Sequence, residues 1–227
     1  MQAEPLTIAV GGSRTVSGLW LAPPNARAAY VFAHGAGAGM RHKAMEGAAQ
    51  GLAERGIASL RFQFPYMEAG GKRPDPPPLA HAAIRAAAAE AARRAPKLPL
   101  FAGGRSFGAR MTSQAQALEP LPGVRGLIFF AFPLHPAGKP GTERAGHLSD
   151  VSIPMLFLQG TRDALADLDL LQPVTASLGK RATLKLLDHG DHSFHVLKRS
   201  GRTDAAVLAE ALDAAADWIA ALDAAAA

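Results

Sequence analysis

The 227-residue chain contains no cysteine. That excludes disulfides, thiolate zinc sites, Cys-ligated iron–sulfur clusters and a cysteine nucleophile. No charge-free apolar run reaches the about 18 residues that a membrane-spanning helix needs. The opening Met1-Gln2-Ala3-Glu4-Pro5 has no basic stretch leading into an apolar one, so it does not read as a secretory leader. Together these absences lead us to expect a cytoplasmic protein with no membrane partner. Charged residues are few, 19% against 48% hydrophobic, which is a globular composition and not that of a disordered chain. The length fits a single domain, residues 1–227. The net charge of +5 invites an anionic partner, but the basic residues are scattered. The densest patches, Arg41-His42-Lys43, Lys72-Arg73 and Lys198-Arg199, are short and carry no zinc-finger, RNP or basic-zipper pattern. We therefore expect no nucleic acid.

What is present is an alternation of apolar runs and helical patterns. Leu6–Val10 and Ser17–Leu21 read as a hairpin around Gly11-Gly12-Ser13. Further strands are expected at Ala28–Ala33, Ile57–Phe64, Pro99–Gly103, Val124–Phe132, Ile153–Leu158 and Ala182–Leu187. Helices are expected at Lys43–Arg55, Leu79–Arg94, from Ser106, at Leu170–Leu178 and at Thr203–Leu222, with the tail Asp223–Ala227 fraying. Pro173 is tolerable in the fourth of these only within the first turn. Strands alternating with helices predict an α/β fold: a mostly parallel sheet with helices on both faces and an antiparallel N-terminal hairpin. Pro65–Pro78 and Pro133–Ser152, rich in Pro and Gly, read as loops.

Three segments carry chemistry. Gly104-Arg105-Ser106-Phe107-Gly108 is a G-x-S-x-G placed between a strand and a helix, the context of a nucleophile elbow. A serine there needs a base, and the base needs an orienting acid. Asp163 directly follows a strand end, which its rivals Asp150, Asp167 and Asp169 do not. After the last strand come His189, His192 and His195; His192 is preferred because the Gly190 turn can project it back over the sheet edge. A metal reading of His189, Asp191, His192 and His195 finds no ligand spacing to support it, so no metal is expected. The third segment is His34-Gly35-Ala36-Gly37-Ala38-Gly39. Its glycines can turn backbone N–H groups toward an oxyanion, with Ala36 the first choice, Gly37 the next and Phe107 as the second donor. As a dinucleotide loop it fails: its last glycine is one residue early, and the next strand lacks the acidic ribose ligand. No cofactor is expected. Tyr66 and Met67 are candidates to line a substrate wall, and Arg105 lies inside the elbow.

The H-G-A-G-A-G loop, the G-R-S-F-G elbow, the G-T-R-D turn and the G-D-H-S-F end, all between Ala28 and His195, resemble a small bacterial α/β-hydrolase related to dienelactone hydrolases. The stretch Arg61-Phe62-Gln63-Phe64-Pro65-Tyr66-Met67-Glu68-Ala69-Gly70 is similar to a branch whose eukaryotic relatives include a testis-expressed protein and a chromatin acetyltransferase complex subunit. The resemblance implies Ser106 as nucleophile, Asp163 as acid and His192 as base. It departs from dienelactone hydrolase in having serine where that enzyme has cysteine. Some members of the branch are interaction subunits, so the resemblance allows a scaffold role as the alternative to catalysis. Many such hydrolases carry a helical cap after the strand that here ends near Phe132; Pro133–Ser152 is too short for one, so we expect an open site and no cap domain. The expected substrate is a small ester or thioester. Arg41, Lys43, Lys72, Arg73 and Arg105 sit in or beside loops at that edge, where they either favour anionic substrates or simply solvate the surface.

Overall fold

A computed structural model describes residues 1–226. Eight strands form one sheet in the order β1-β2-β4-β3-β5-β6-β7-β8. They are β1 (Glu4–Gly11), β2 (Arg14–Leu21), β3 (Ala28–Ala33), β4 (Ile57–Phe62), β5 (Leu100–Arg105), β6 (Val124–Phe130), β7 (Met155–Gly160) and β8 (Ala182–Leu187). The hairpin β1–β2 joins antiparallel to β4, and β4, β3, β5, β6, β7 and β8 pair in parallel. This is the expected α/β-hydrolase architecture, without a lid.

Alternation along the strands feeds two cores. In β3, Ala29, Val31 and Ala33 face one way, with Ala80, Ile84 and Ala88 of α3 (Pro77–Arg94) and Met111 of α4 (Phe107–Leu118). Ala28, Tyr30 and Phe32 face the other way, with Met45 and Leu52 of α1 (Lys43–Glu54) and Val207 and Leu212 of α6 (Asp204–Ala226). Central strands buried on both faces are apolar nearly throughout, which is why β3 reads as a continuous hydrophobic run, while β4 buries Ser59 and Arg61 as exceptions. All four loops that carry the candidate chemistry leave carboxyl ends of parallel strands β3, β5, β7 and β8, and so meet at one edge.

Several boundaries differ from expectation for local reasons. The β4 run ends at Phe62 because Pro65 sets φ for the first turn of α2 (Pro65–Glu68), inside a segment read as loop. Similarly, α3 starts two residues early, at Pro77, because prolines in a first turn forfeit no helical hydrogen bond. Strand β6 stops at Phe130, since Ala131 takes φ +58°. A 3₁₀ helix, Glu143–Asp150, occupies part of the other expected loop, which remains too small for a cap. The last helix continues through Ala226, where alanine-rich sequence and the Arg125–Asp223 ion pair (2.9 Å) hold the turn expected to fray. Ala227 lies outside the described residues.

Pro173 is the larger departure. Helix α5 spans Leu168–Ser177, capped by the Asp167 side chain on Asp169 N–H at 3.0 Å, so Pro173 falls in its second turn and not its first. A proline there has no N–H for the carbonyl four residues back, Asp169, and crowds it. The side chain is exposed and contributes no core packing in return. Pro173→Ala should raise stability by about 1 kcal/mol or more, read as a higher urea midpoint at unchanged m-value. An unchanged or lower midpoint would show that the helix has already absorbed the proline.

Candidate active site

The elbow is built by crowding. A Cβ on Gly104 or Gly108 would strike the Ala33 carbonyl oxygen, and one on Gly108 would also lie 2.7 Å from the His34 oxygen. With glycine at both places β5 and α4 press against β3, and the chain turns within one residue. Ser106 takes the strain at φ +50°, ψ −114°, which lifts its side chain off the end of the sheet.

From Ser106 an unbroken hydrogen-bond chain runs inward. Ser106 Oγ lies 2.8 Å from His192 Nε2, and His192 Nδ1 lies 2.7 Å from Asp163 Oδ2. The Asp163 side chain is fully buried and that of His192 is 23% exposed. Asp163 follows β7 and is held on both oxygens: Oδ1 accepts the Leu165 N–H at 2.8 Å and Oδ2 accepts Gln159 Nε2 at 2.5 Å. Gln159 is itself buried, and its Oε1 takes the Phe132 N–H at 3.0 Å, tying the acid to the end of β6. Gln159 was not singled out from sequence. Its signal was there: the only polar side chain in the otherwise apolar Met-Leu-Phe-Leu-Gln-Gly of β7.

His192 rides on a loop organised by Asp191, whose Oδ1 accepts the N–H groups of Ser193 and His195 at 2.7 and 3.0 Å. Arg105 braces the same loop. Its Nη2 donates to the His192 carbonyl at 2.9 Å, and its guanidinium stacks 5.0 Å from the Phe194 ring centroid. Burial pulls the Arg105 pKa down, against the opposing charges of Asp163 and Asp191. The other two histidines stay outside the chain. His189 is exposed at φ +63°, and His195 pairs with Asp204 on the surface at 2.9 Å, which raises its pKa. Among the described residues the His192 ring is hydrogen-bonded to Asp163 and Ser106, and to none of Asp150, Asp167 and Asp169. Among the described residues no group of three or more His, Cys, Asp or Glu could hold a metal ion.

The glycine loop after β3 closes the site. His34 is completely buried; its Nδ1–H donates to the Gly35 carbonyl at 2.8 Å and its Nε2 accepts the Phe64 N–H at 3.1 Å. The Gly37 N–H donates to Tyr66 Oη at 3.1 Å, while the N–H groups of Ala36 and Phe107 are given to no protein acceptor among the described residues. A cavity of about 860 Å³ lies over Ser106 and His192, lined also by Ala36, Lys43, Arg105 and Phe194. Tyr66 and Met67 do not line it. Tyr66 is buried behind the glycine loop, and Met67 packs near Gly39, so both support the loop from the far side. Of the five cations expected at this edge, only Lys43 and Arg105 reach the cavity; Lys72 and Arg73 are exposed elsewhere, and Arg41 lines a different pocket.

A second serine–histidine contact exists, Ser113 Oγ to His147 Nε2 at 2.7 Å, between α4 and the 3₁₀ helix. Ser113 is fully buried, and its Oγ also donates to the Arg110 carbonyl at 2.9 Å. That contact ties the 3₁₀ segment to the body; no substrate can reach it.

A family model described as an alpha/beta hydrolase domain matches residues 26–220. Among solved structures, the chain is similar to an α/β serine hydrolase without lid from Xanthomonas campestris (23% identity, TM-score 0.73, covering 96% of this chain and 95% of that one). It is also similar to a dienelactone hydrolase from Anabaena variabilis (19%, TM-score 0.74, 96% of both chains). A third is Est1E from Butyrivibrio proteoclasticus (14%, TM-score 0.72, 99% of this chain and 100% of that one). No described helix is long and apolar enough to cross a membrane.

Burial drives the pKa of both His34 and His147 down to about 4, from 6.5. Both are therefore neutral when folded, and the unfolded chain binds more protons between pH 6.5 and 4. Stability from these two groups is present above pH 6.5 and is lost as pH falls toward 4. His147→Gln should make the Tm-versus-pH curve shallower across that window and leave it unchanged above about pH 7. An unaltered acid slope would mean that His147 does not gate acid unfolding.

Proposed function

Since the chain belongs to the alpha/beta hydrolase domain family, we propose that it is a serine hydrolase that cleaves small carboxylic esters or thioesters through an acyl-enzyme. The observation that carries this reading is the continuous Asp163–His192–Ser106 hydrogen-bond chain on the floor of an open cavity. The Arg61–Gly70 stretch is similar to the branch that includes the testis-expressed protein, a resemblance that stays a proposal. Est1E and the lidless serine hydrolase share the fold at low identity, and the reading does not borrow their substrates.

In the mechanism, His192 Nε2 takes the Ser106 proton as Oγ bonds to the substrate carbonyl carbon. Negative charge moves onto the carbonyl oxygen, where the N–H groups of Ala36 and Phe107 receive it. Gly37 is committed to Tyr66 and does not compete for this role. The imidazolium formed donates through Nδ1 to Asp163, whose carboxylate stays ionised and fixes the tautomer. His192 then returns the proton to the leaving alcohol or thiol as its bond to carbon breaks. In the second half, water gives a proton to His192 and attacks the acyl carbon, releasing the acid and regenerating Ser106. Arg105 acts here through the backbone of His192, holding the base loop in register. Lys43, an exposed cation, lines the same cavity.

Ser106→Ala should abolish labelling by a fluorophosphonate and hydrolysis of p-nitrophenyl esters, while Ser113→Ala retains both. Labelling that persists in Ser106→Ala, or that vanishes in Ser113→Ala with the fold intact, would overturn the assignment. A wild-type protein that takes no label at all would favour a scaffold role.

His192→Ala should lower kcat on the order of 10⁴-fold or more, whereas His189→Ala and His195→Ala should each cost less than about 10²-fold. Gln159→Leu removes one of the two bonds that aim Asp163. It should lower kcat by up to about 10²-fold with KM nearly unchanged. A change confined to KM would remove Gln159 from the positioning of the acid.

A further inference from the structure

Arg61 belongs to the stretch that carries the resemblance, yet the hydrolytic reading gives it no task. It lies next to the last residue of β4, is the only charged side chain in that strand, and is only 2% exposed. Period-two alternation puts it on the same face as Ile57, which packs with Met45 and Leu52 of α1. A guanidinium offers five N–H donors and cannot shed its charge in a protein. Here one donor is used, from Nη1 to the Met40 carbonyl at 3.1 Å. Among the described residues Nε is enclosed without a partner and Nη2 makes no hydrogen bond. Glu46 acts on Arg61 only through space, and Arg41 opposes it. Burying a cation without a bonded anion is costly enough that proteins pair such groups.

Beside Arg61 is a second cavity of about 470 Å³, also lined by Arg41, Glu46, Gln50 and Leu19. Its charged side chains are two arginines against one glutamate, so an anion is favoured there. Both amide atoms of Gln50 are bonded to Met1, whose terminal ammonium also lines the cavity, so the arginines are the cationic side chains free to donate there. This cavity and the catalytic one share no lining residue, although α1 contributes to both: Lys43 to Met45 on one side, Glu46 and Gln50 on the other. We propose that the second cavity is an anion-binding site in which a carboxylate or phosphate group takes the unused donors of Arg61, with Arg41 as the second cation. A planar fork of parallel N–H groups suits either group. Through the bond from Arg61 to Met40, the bound anion sits directly behind the glycine loop that forms the oxyanion side of the catalytic cavity.

The test is calorimetric titration of the full chain, at constant ionic strength, with inorganic phosphate in one arm and acetate in another. The two arms distinguish the phosphate from the carboxylate. The site predicts saturable, stoichiometric binding in at least one arm. Arg61→Met should weaken it about 10–100-fold, the loss expected for hydrogen bonds to a charged group. Arg41→Ala should weaken it less, and Glu46→Gln should tighten it by removing the one opposing charge. Lys43→Ala, in the catalytic cavity, should leave it unchanged. No saturable heat in either arm would overturn the proposal, as would equal binding by Arg61→Met or loss on Lys43→Ala, which would place the anion beside Ser106. If Arg61→Met does not fold, Arg41→Ala and Glu46→Gln decide alone: unchanged affinity in both, or weaker binding in Glu46→Gln, refutes the site. Because the readout is binding and not turnover, it stands or falls independently of the hydrolytic assignment.

Discussion

Two glycines set the geometry on which everything at the sheet edge depends. Gly104 and Gly108 let the turn between β5 and α4 lie against the backbone of Ala33 and His34, where any Cβ would collide. The turn is so tight that Ser106 is forced to positive φ. That turn does two things at once: it brings Ser106 to the cavity, and it leaves the Phe107 N–H at the start of α4 with no acceptor among the described residues. The same close approach brings Gly35 against the elbow, since a Cβ there would sit 3.7 Å from that of Ser106. Ser106 and the glycine loop are thus placed by a single packing constraint between neighbouring parallel strands.

Polar groups buried around this constraint are used sparingly. His34 spends one ring nitrogen on Gly35 and the other on Phe64, so the loop is fixed by a neutral imidazole that burial keeps unprotonated. Gln159 links Asp163 to the end of β6 in the same manner. Arg105 is held by a carbonyl and an aromatic face. In each case one side chain makes contacts in two segments, at least one of them with backbone, and so couples the positions of those segments. Arg61 breaks that pattern, with one acceptor for five donors, and this is why it stands out among the buried polar residues.

Much of the architecture was legible because local chemistry and global fold agree. Apolar runs marked β3, β6 and β7 as buried strands, and β8 fell at the expected Ala182–Leu187. Boundaries shifted where proline is permissive, as at Pro65 and Pro77, or where one residue leaves the extended region, as at Ala131. Pro173 went against the rule altogether: packing of Leu171 and Thr175 into the core holds α5 together across the break.

By itself the sequence determined the order of elements, the elbow with its obligatory glycines, and the presence of an acid and a histidine cluster at the right strand ends. These are properties of residue type and local spacing, and such properties survive without a tertiary context. Tertiary structure decided which of three histidines reaches Ser106, because that depends on the Asp191 turn and the Arg105 brace across 87 residues of chain. It decided that Tyr66 and Met67 stand behind the glycine loop and not on the cavity wall. It also revealed Gln159 and Arg61 as residues with specific partners, or too few of them. A buried polar side chain in an apolar strand looks the same in sequence whether it is satisfied or orphaned, and only the atoms that surround it tell the two apart.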